Sequence, residues 1–192
     1  MALLIAGLLL FLGVHSSRVF AERARQRFIA ARGPNAWKGL YALASLAGFA
    51  LIVWGFSLAR QDPVVLWVPP RWTRHLAALL TLPAFVLLVA AYVPGNSIKA
   101  RLHHPMVLGV KVWALSHLIA NQTLAEALLF GGFLLWAVLS FRAARARDAA
   151  AGVVYAPGRV GPTAVTVAAG VGAWLVFALW AHEALIGVRP FG

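Results

Sequence analysis

The 192-residue sequence has no cysteine. That excludes disulfides, thiolate-bound metals and cysteine nucleophiles. Acidic residues are nearly as scarce, with five Asp and Glu against 17 Lys and Arg. Charged residues make up only 11% of the chain, about half the share in a soluble domain. A chain this poor in charge and 62% hydrophobic cannot cover a water-facing surface, so lipid is its natural solvent. The net charge of +12 does not point to nucleic acid, because the basic residues lie between apolar runs and form no patch. Internal repeats, a separate soluble domain and the alternating pattern of barrel strands are also missing. The first apolar run has no Lys or Arg before it and a cluster of arginines after it. This reverses the order of a secretory signal, so the run reads as a retained span.

What remains is apolar sequence in long stretches. Runs near spanning length occur at about 1–17, 39–59, 75–93, 105–122, 124–141 and 164–185. They predict an all-α, polytopic membrane bundle of about six helices in a single domain. The fourth and fifth runs are joined by only Asn121, Gln122 and Thr123 at their shared end, which predicts a tight helical hairpin. Residues 18–32 read as an amphipathic extension of the first helix. The stretch 61–72, QDPVVLWVPPRW, reads as an interfacial loop, with Trp67 and Trp72 at headgroup level. Residues 148–163 read as a flexible linker.

The connections sort by charge. Residues 18–38, 94–104 and 142–163 carry twelve Lys and Arg, whereas the other side has only Arg60, Arg71, Arg74 and Arg189. The positive-inside rule then places both termini away from the cytoplasm. In a bacterial inner membrane they would be periplasmic.

Ionisable groups at membrane depth are costly, and by default each raises a functional question. His75, His103 and His182 fall near predicted interfaces, where an imidazole costs little. Lys111 can snorkel along its own stem, and Glu126 falls in a helix first turn, where the dipole favours a carboxylate. His15 and His117 are different. Each lies beside about a dozen apolar or small residues and next to a serine, Ser16 or Ser116. Two explanations stand for them: a hydrogen bond between helices, worth about 1 kcal/mol or less, or metal ligation. Zinc requires three or four ligands, usually close in sequence. Two deep imidazoles on different helices suit haem better. Helix rise puts His15 about 21 Å below the outer surface and His117 about 18–22 Å above the inner one. In a core about 30 Å thick their depths differ by roughly 9–13 Å. His104 is an alternative ligand, nearer His15 in depth, and its neighbour His103 faces about 100° away.

The segments GVHS, WKGLYALASLAG, AAYVPGN, HPMVLGVKVWALSHLIANQ and GGFLLWAVLSF, in this order, resemble the NnrU family of bacterial membrane proteins. The resemblance covers about residues 1–150. That family is similar to the 15-cis-zeta-carotene isomerase, an integral membrane haem b protein. Carried over by motif, the resemblance places the Val-His-Ser histidine at His15, the His-Pro histidine at His104 and the Leu-Ala-His histidine at His117. It implies a haem b held by His15 and His117. Where the isomerase has a cysteine three residues before the last histidine, this chain has Ala114 and so lacks that alternative sulfur ligand. The family name also implies a link to nitrite and nitric oxide metabolism.

The segment His104-Pro105-x-x-x-Gly109 is also similar to the Arg-His-Pro-x-x-x-Gly signature of membrane S-adenosylmethionine-dependent methyltransferases. Here the arginine position is His103, and residues 142–150, RAARARDAA, lack the paired glutamates of that signature.

Three readings follow. The first is a haem membrane protein that isomerises a lipophilic polyene or acts in nitrite and nitric oxide metabolism. The second is a non-enzymatic accessory protein of respiratory or denitrification complexes. The third is a membrane methyltransferase. The partners expected are membrane lipid and a lipophilic small molecule, with no nucleic acid. Ser16, Lys111, Asn121 and Asn96 are expected around the ligands, and any large pocket is expected among spans one, two, four and five, lined by Trp54, Trp113 and Asn96.

Overall fold

The structure, a computed structural model, describes residues 1–191. In chain order the helices are α1 (Ala2–His15), α2 (Ser17–Phe20), α3 (Glu22–Ala59), α4 (Trp72–Tyr92), α5 (Ser97–Leu102), α6 (Pro105–Ala120), α7 (Leu124–Ala150) and α8 (Val160–Val176). A π-helical turn over Phe177–Ala181 leads on into α9 (His182–Ile186). Among the described residues no strand forms beyond isolated bridges. This agrees with the all-α expectation, since helices satisfy their backbone polar groups within one segment.

Among the described residues, four helical segments are long and apolar enough to cross a membrane: α3, α4, α7 and the continuous stretch Val160–Ile186. The other two expected spans are helical and apolar but short. α1 has 14 residues and α6 has 16, a rise of about 21 and 24 Å against a hydrocarbon core of about 30 Å. Each ends for a local reason. Ser16 leaves helical geometry at φ −86°, ψ 0°. Asn121 turns extended at φ −100°, ψ 158°.

The reading of residues 18–32 needs correction. They do not extend the first helix. α2 is a single turn, Ala21 breaks the path at φ −129°, ψ 29°, and a new helix starts at Glu22. That helix is interrupted at Gly33, whose φ of 81° and ψ of 162° suit a residue without Cβ. Pro34 then begins the next helical stretch, where its missing N–H costs nothing.

The chain divides into two compact units. Unit 1 comprises residues 1–67 and 122–140; unit 2 comprises residues 68–121 and 141–191. α7 begins in the first and ends in the second.

In unit 1, α1 packs along α3, and glycines set the spacing. A Cβ on Gly7 would lie 2.6 Å from the Ile52 nitrogen, and one on Gly48 would lie 2.8 Å from the Phe11 nitrogen. At Gly55 it would run into the backbone of Leu3 and Leu4. Gly48, Ile52 and Gly55 recur at helical spacing, so one face of α3 meets α1 at backbone distance. Leu4, Leu8, Ile52, Ala59 and Ala125 form the buried cluster beside this contact. In unit 2, α4 packs against α6 and α8, and the Trp174 indole N–H donates to Thr81 Oγ1 at 3.0 Å.

Buried and exposed residues are sorted by size. Among the described residues, ten of the 14 buried hydrophobic ones are alanines. Large side chains face outward, such as Leu9 and Phe20 at 72% exposure and Leu43 at 69%. Small residues inside let helices approach closely, while large ones meet lipid, whose tails are as apolar as leucine.

The entry to α7 is a capping box. The Thr123 backbone and hydroxyl both donate to Glu126 Oε2, at 2.8 Å each, and Gln122 N–H donates to the same oxygen at 3.0 Å. In return Glu126 N–H donates to Thr123 Oγ1 at 3.3 Å. Glu126 thus has the first-turn role expected of it. The 61–71 loop is pinned beside this cap, since Leu66 N–H donates to Gln122 O and Leu124 N–H donates to Val64 O, both at 2.8 Å. Glu126→Ala is expected to cost about 1 kcal/mol, read as a lower midpoint in detergent-solubilised thermal unfolding.

Candidate functional site

His15 is the last residue of α1 and is half-buried. Its Nδ1 donates to the Phe11 carbonyl one turn back, at 2.7 Å. That bond selects the tautomer whose lone pair is on Nε2, the arrangement usual in a metal-ligating imidazole. The ring stacks on Phe11 with centroids 4.1 Å apart, and Tyr41 and Trp136 flank it at 5.1 and 6.1 Å. The buried Trp136 indole N–H has no hydrogen-bond partner, an unmet donor beside the imidazole.

His15 also lines a cleft of about 400 Å³ with Arg18, Arg25, Trp37, Lys38 and Tyr41. The breaks at Ser16, Ala21 and Gly33 build this cleft by reversing the chain. They bring Arg25 over the Trp37 ring, 5.8 Å from its centre, and Phe28 to 5.8 Å from the same ring. The whole cleft lies in unit 1. The expected lining of Trp54, Trp113 and Asn96 is not found here. Trp54 is 60% exposed, and the other two belong to unit 2.

His117, in unit 2, shows the same local device. Its Nδ1 lies 2.9 Å from the Trp113 carbonyl oxygen, and the Trp113 ring is 5.3 Å from the imidazole. Ser116 is fully buried and donates to the Trp113 carbonyl at 2.7 Å.

His104 is committed elsewhere in unit 2. Its Nε2–H donates to Asp148 Oδ2 at 2.8 Å, and Tyr155 OH donates to the same oxygen at 2.8 Å. His103 stacks on Tyr155 with centroids 4.1 Å apart and planes at 4°, and Arg145 Nη1 donates to its Nδ1 at 2.9 Å. The connection is strained. His103 has φ 69° and ψ −54°, and His104 N–H reaches back to Leu102 O at 2.9 Å. This is a γ-turn of the rarer hand. Its cost is offset by the side chains that clip it to the end of α7. As an alternative iron ligand His104 therefore has its Nε2 already in use. The same bond occupies the histidine to which the methyltransferase-like motif assigns a cofactor contact.

Asp148 lies beyond the apolar stretch of α7, past Arg142, Arg145 and Arg147. The Tyr155 hydroxyl, followed by His104, holds its carboxyl below the usual range, and burial followed by Asp148 pushes the Tyr155 hydroxyl up. A lowered folded-state value stabilises above the ordinary Asp value of about 3.9 and is lost as pH falls through the lowered one. Asp148→Asn is thus expected to unfold below the parent's midpoint at neutral pH. That gap should close in the acid range below about pH 4, read by thermal scans across pH.

The other residues expected around the ligands serve local structure. Asn96 is buried; its amide donates to Ala90 O and Val93 O at 2.9 and 2.5 Å and accepts from Lys99 N at 2.7 Å, capping α5. Lys111 places its ammonium 4.7 Å from the Phe141 ring centre. Asn121 ends α6, and Ser16 separates α1 from α2. Of the histidines expected near interfaces, His75 is exposed, and His182 donates from Nδ1 to Val188 O at 2.7 Å. Among the described residues, no three His, Asp or Glu side chains converge as a zinc site would require.

Sequence reasoning missed the cation-rich wall of the His15 cleft and the partnership of Asp148 with His104. The first was hidden because residues 18–32 read as one continuous amphipathic face. The second joins residues 44 positions apart, with no spacing signal to reveal it.

Compared with known proteins, the chain matches the family model described as NnrU protein over residues 3–190. The match takes in the last helix, beyond the 1–150 that the motifs alone cover. No curated protein and no solved structure matches it.

Proposed function

We propose, for a chain that belongs to the NnrU family, that this integral membrane protein binds haem b through His15. The observation that carries the reading is the setting of His15. Its Nδ1 is spent on the Phe11 carbonyl, and its ring lines an aromatic, cationic cleft beside an unpartnered indole N–H. His117 repeats the Nδ1 arrangement with Trp113. An imidazole with its Nε2 lone pair presented to a cleft suits an iron porphyrin, and the lone histidine does not make up the three or four ligands of a zinc site.

Bound haem would supply an iron able to exchange an axial ligand or an electron. The chain's own share is orientation and exclusion of water. The Phe11 carbonyl fixes the His15 tautomer, and Phe11, Tyr41 and Trp136 keep the His15 ring in apolar surroundings. Such a centre in lipid suits a lipophilic polyene substrate, isomerised without net redox change, or a role in nitrite and nitric oxide metabolism. The twelve-to-four distribution of basic residues supports an inner-membrane orientation with both termini periplasmic.

The test is the absorption spectrum of protein purified from haem-replete cells. A Soret band in stoichiometric yield is expected. A colourless protein rejects the reading and leaves the accessory role, which would then be sought by co-purification with a respiratory or nitrogen-oxide reductase.

A further inference from the structure

The cleft beside His15 combines three chemistries that seldom share one wall. It has an imidazole with Nε2 as its basic nitrogen, the aromatic faces of Trp37 and Tyr41, and the three cations Arg18, Arg25 and Lys38. The nearest carboxylate is Glu22, which does not line the cleft. It is already shared, lying 3.1 Å from Arg25 Nη1, 2.7 Å from Gln26 Nε2 and 3.9 Å from Arg18 Nε. The cleft therefore carries a surplus of positive charge. The Arg25 side chain is only 20% exposed, so its charge faces less water than a surface arginine's and is correspondingly less screened.

An apolar ligand alone would make no use of these cations, and a bare anion would make no use of the rings. The combination fits an amphiphile that is flat and apolar, coordinates imidazole, and carries acidic groups at one edge. Haem b has that chemistry, with two propionate carboxylates. We propose that Arg18, Arg25 and Lys38 bind the propionates of a haem ligated by His15. The assignment rests on the haem reading above. Guanidinium groups pair carboxylates bidentately, and a lysine adds a mobile point charge. The chain reversal at Gly33 gives the arrangement its structural cause, because it returns Lys38 and Trp37 to the side of Arg18 and Arg25.

The test is a titration of the full chain in nonionic detergent, where no lipid phosphate competes. The probes are haem b and its dimethyl ester, which keeps the iron and the ring but has no carboxylates. The parent is expected to bind haem b at least about tenfold more tightly than the ester, as read from Soret titrations. In the R18Q/R25Q/K38Q protein the preference should fall to about twofold or less, with ester affinity unchanged. Unchanged ester binding would also show that the variant is folded. Equal parent affinity for both probes, or a triple variant that keeps the preference, overturns the assignment and leaves the haem reading standing. Failure of the parent to bind either probe overturns both. If the cations serve lipid phosphate instead, added phosphatidylglycerol will bind the parent and not the triple variant while the two probes bind alike, which also overturns the assignment.

Discussion

Purified His15→Ala protein is expected to lose its Soret absorption by at least about tenfold per mole of protein, the effect of about 1.4 kcal/mol of affinity. On the proposed haem reading, the substitution removes the nitrogen that would ligate iron but little else. His15 ends α1, so no helical hydrogen bond beyond it depends on its side chain. Its rings of contact, Phe11, Tyr41 and Trp136, remain to line the space. Free imidazole in the buffer should therefore enter and restore the band. Rescue would separate a lost ligand from a lost fold, since a misfolded bundle cannot be repaired by a small base. The His104→Ala protein should keep its band, because that imidazole is spent on Asp148. A His15→Ala protein as red as the parent would remove His15 from the site.

Gly55→Leu is expected to be the most damaging of the single substitutions in the helix contacts. The new Cβ would meet the backbone of Leu3 and Leu4, where no flexible side chain can move aside. The two helices must separate, and the cluster of Leu4, Leu8 and Ile52 loses its packing with them. Overpacking of a tight interior typically costs about 1–3 kcal/mol, and the loss of the buried cluster adds to that. Gly39→Leu on the same helix is the control, since a Cβ there meets nothing within 4 Å. Thermal unfolding in detergent should show a large fall in midpoint for Gly55→Leu and little change for Gly39→Leu. Equal midpoints would mean that α1 and α3 are not in backbone contact.

The same residues show how far the sequence could be read. Glu126 was legible as a first-turn carboxylate, and the structure places it there, where it closes a capping box with Thr123 that its sequence position alone did not name. Gly48 and Gly55 gave no such signal. Seventeen glycines are spread through the chain, and only the approach of α1 shows that Gly48 and Gly55 have no room for a methyl group. His104 read as an alternative ligand because of its depth and its His-Pro motif, and its bond to Asp148 was not legible because the two lie 44 positions apart.

By itself the sequence determined the solvent and the element type. Long apolar stretches with few charges must lie in lipid, and lipid forces the backbone into helices. The family was also legible, because ordered motifs survive without coordinates. Tertiary structure alone decided which polar groups are available. A hydrogen bond between residues far apart in the chain depends on where helices end and turn, as at Ser16, Gly33 and His103. Hydropathy averages over those single residues, so it could not reveal which histidine is already engaged or where the cations gather.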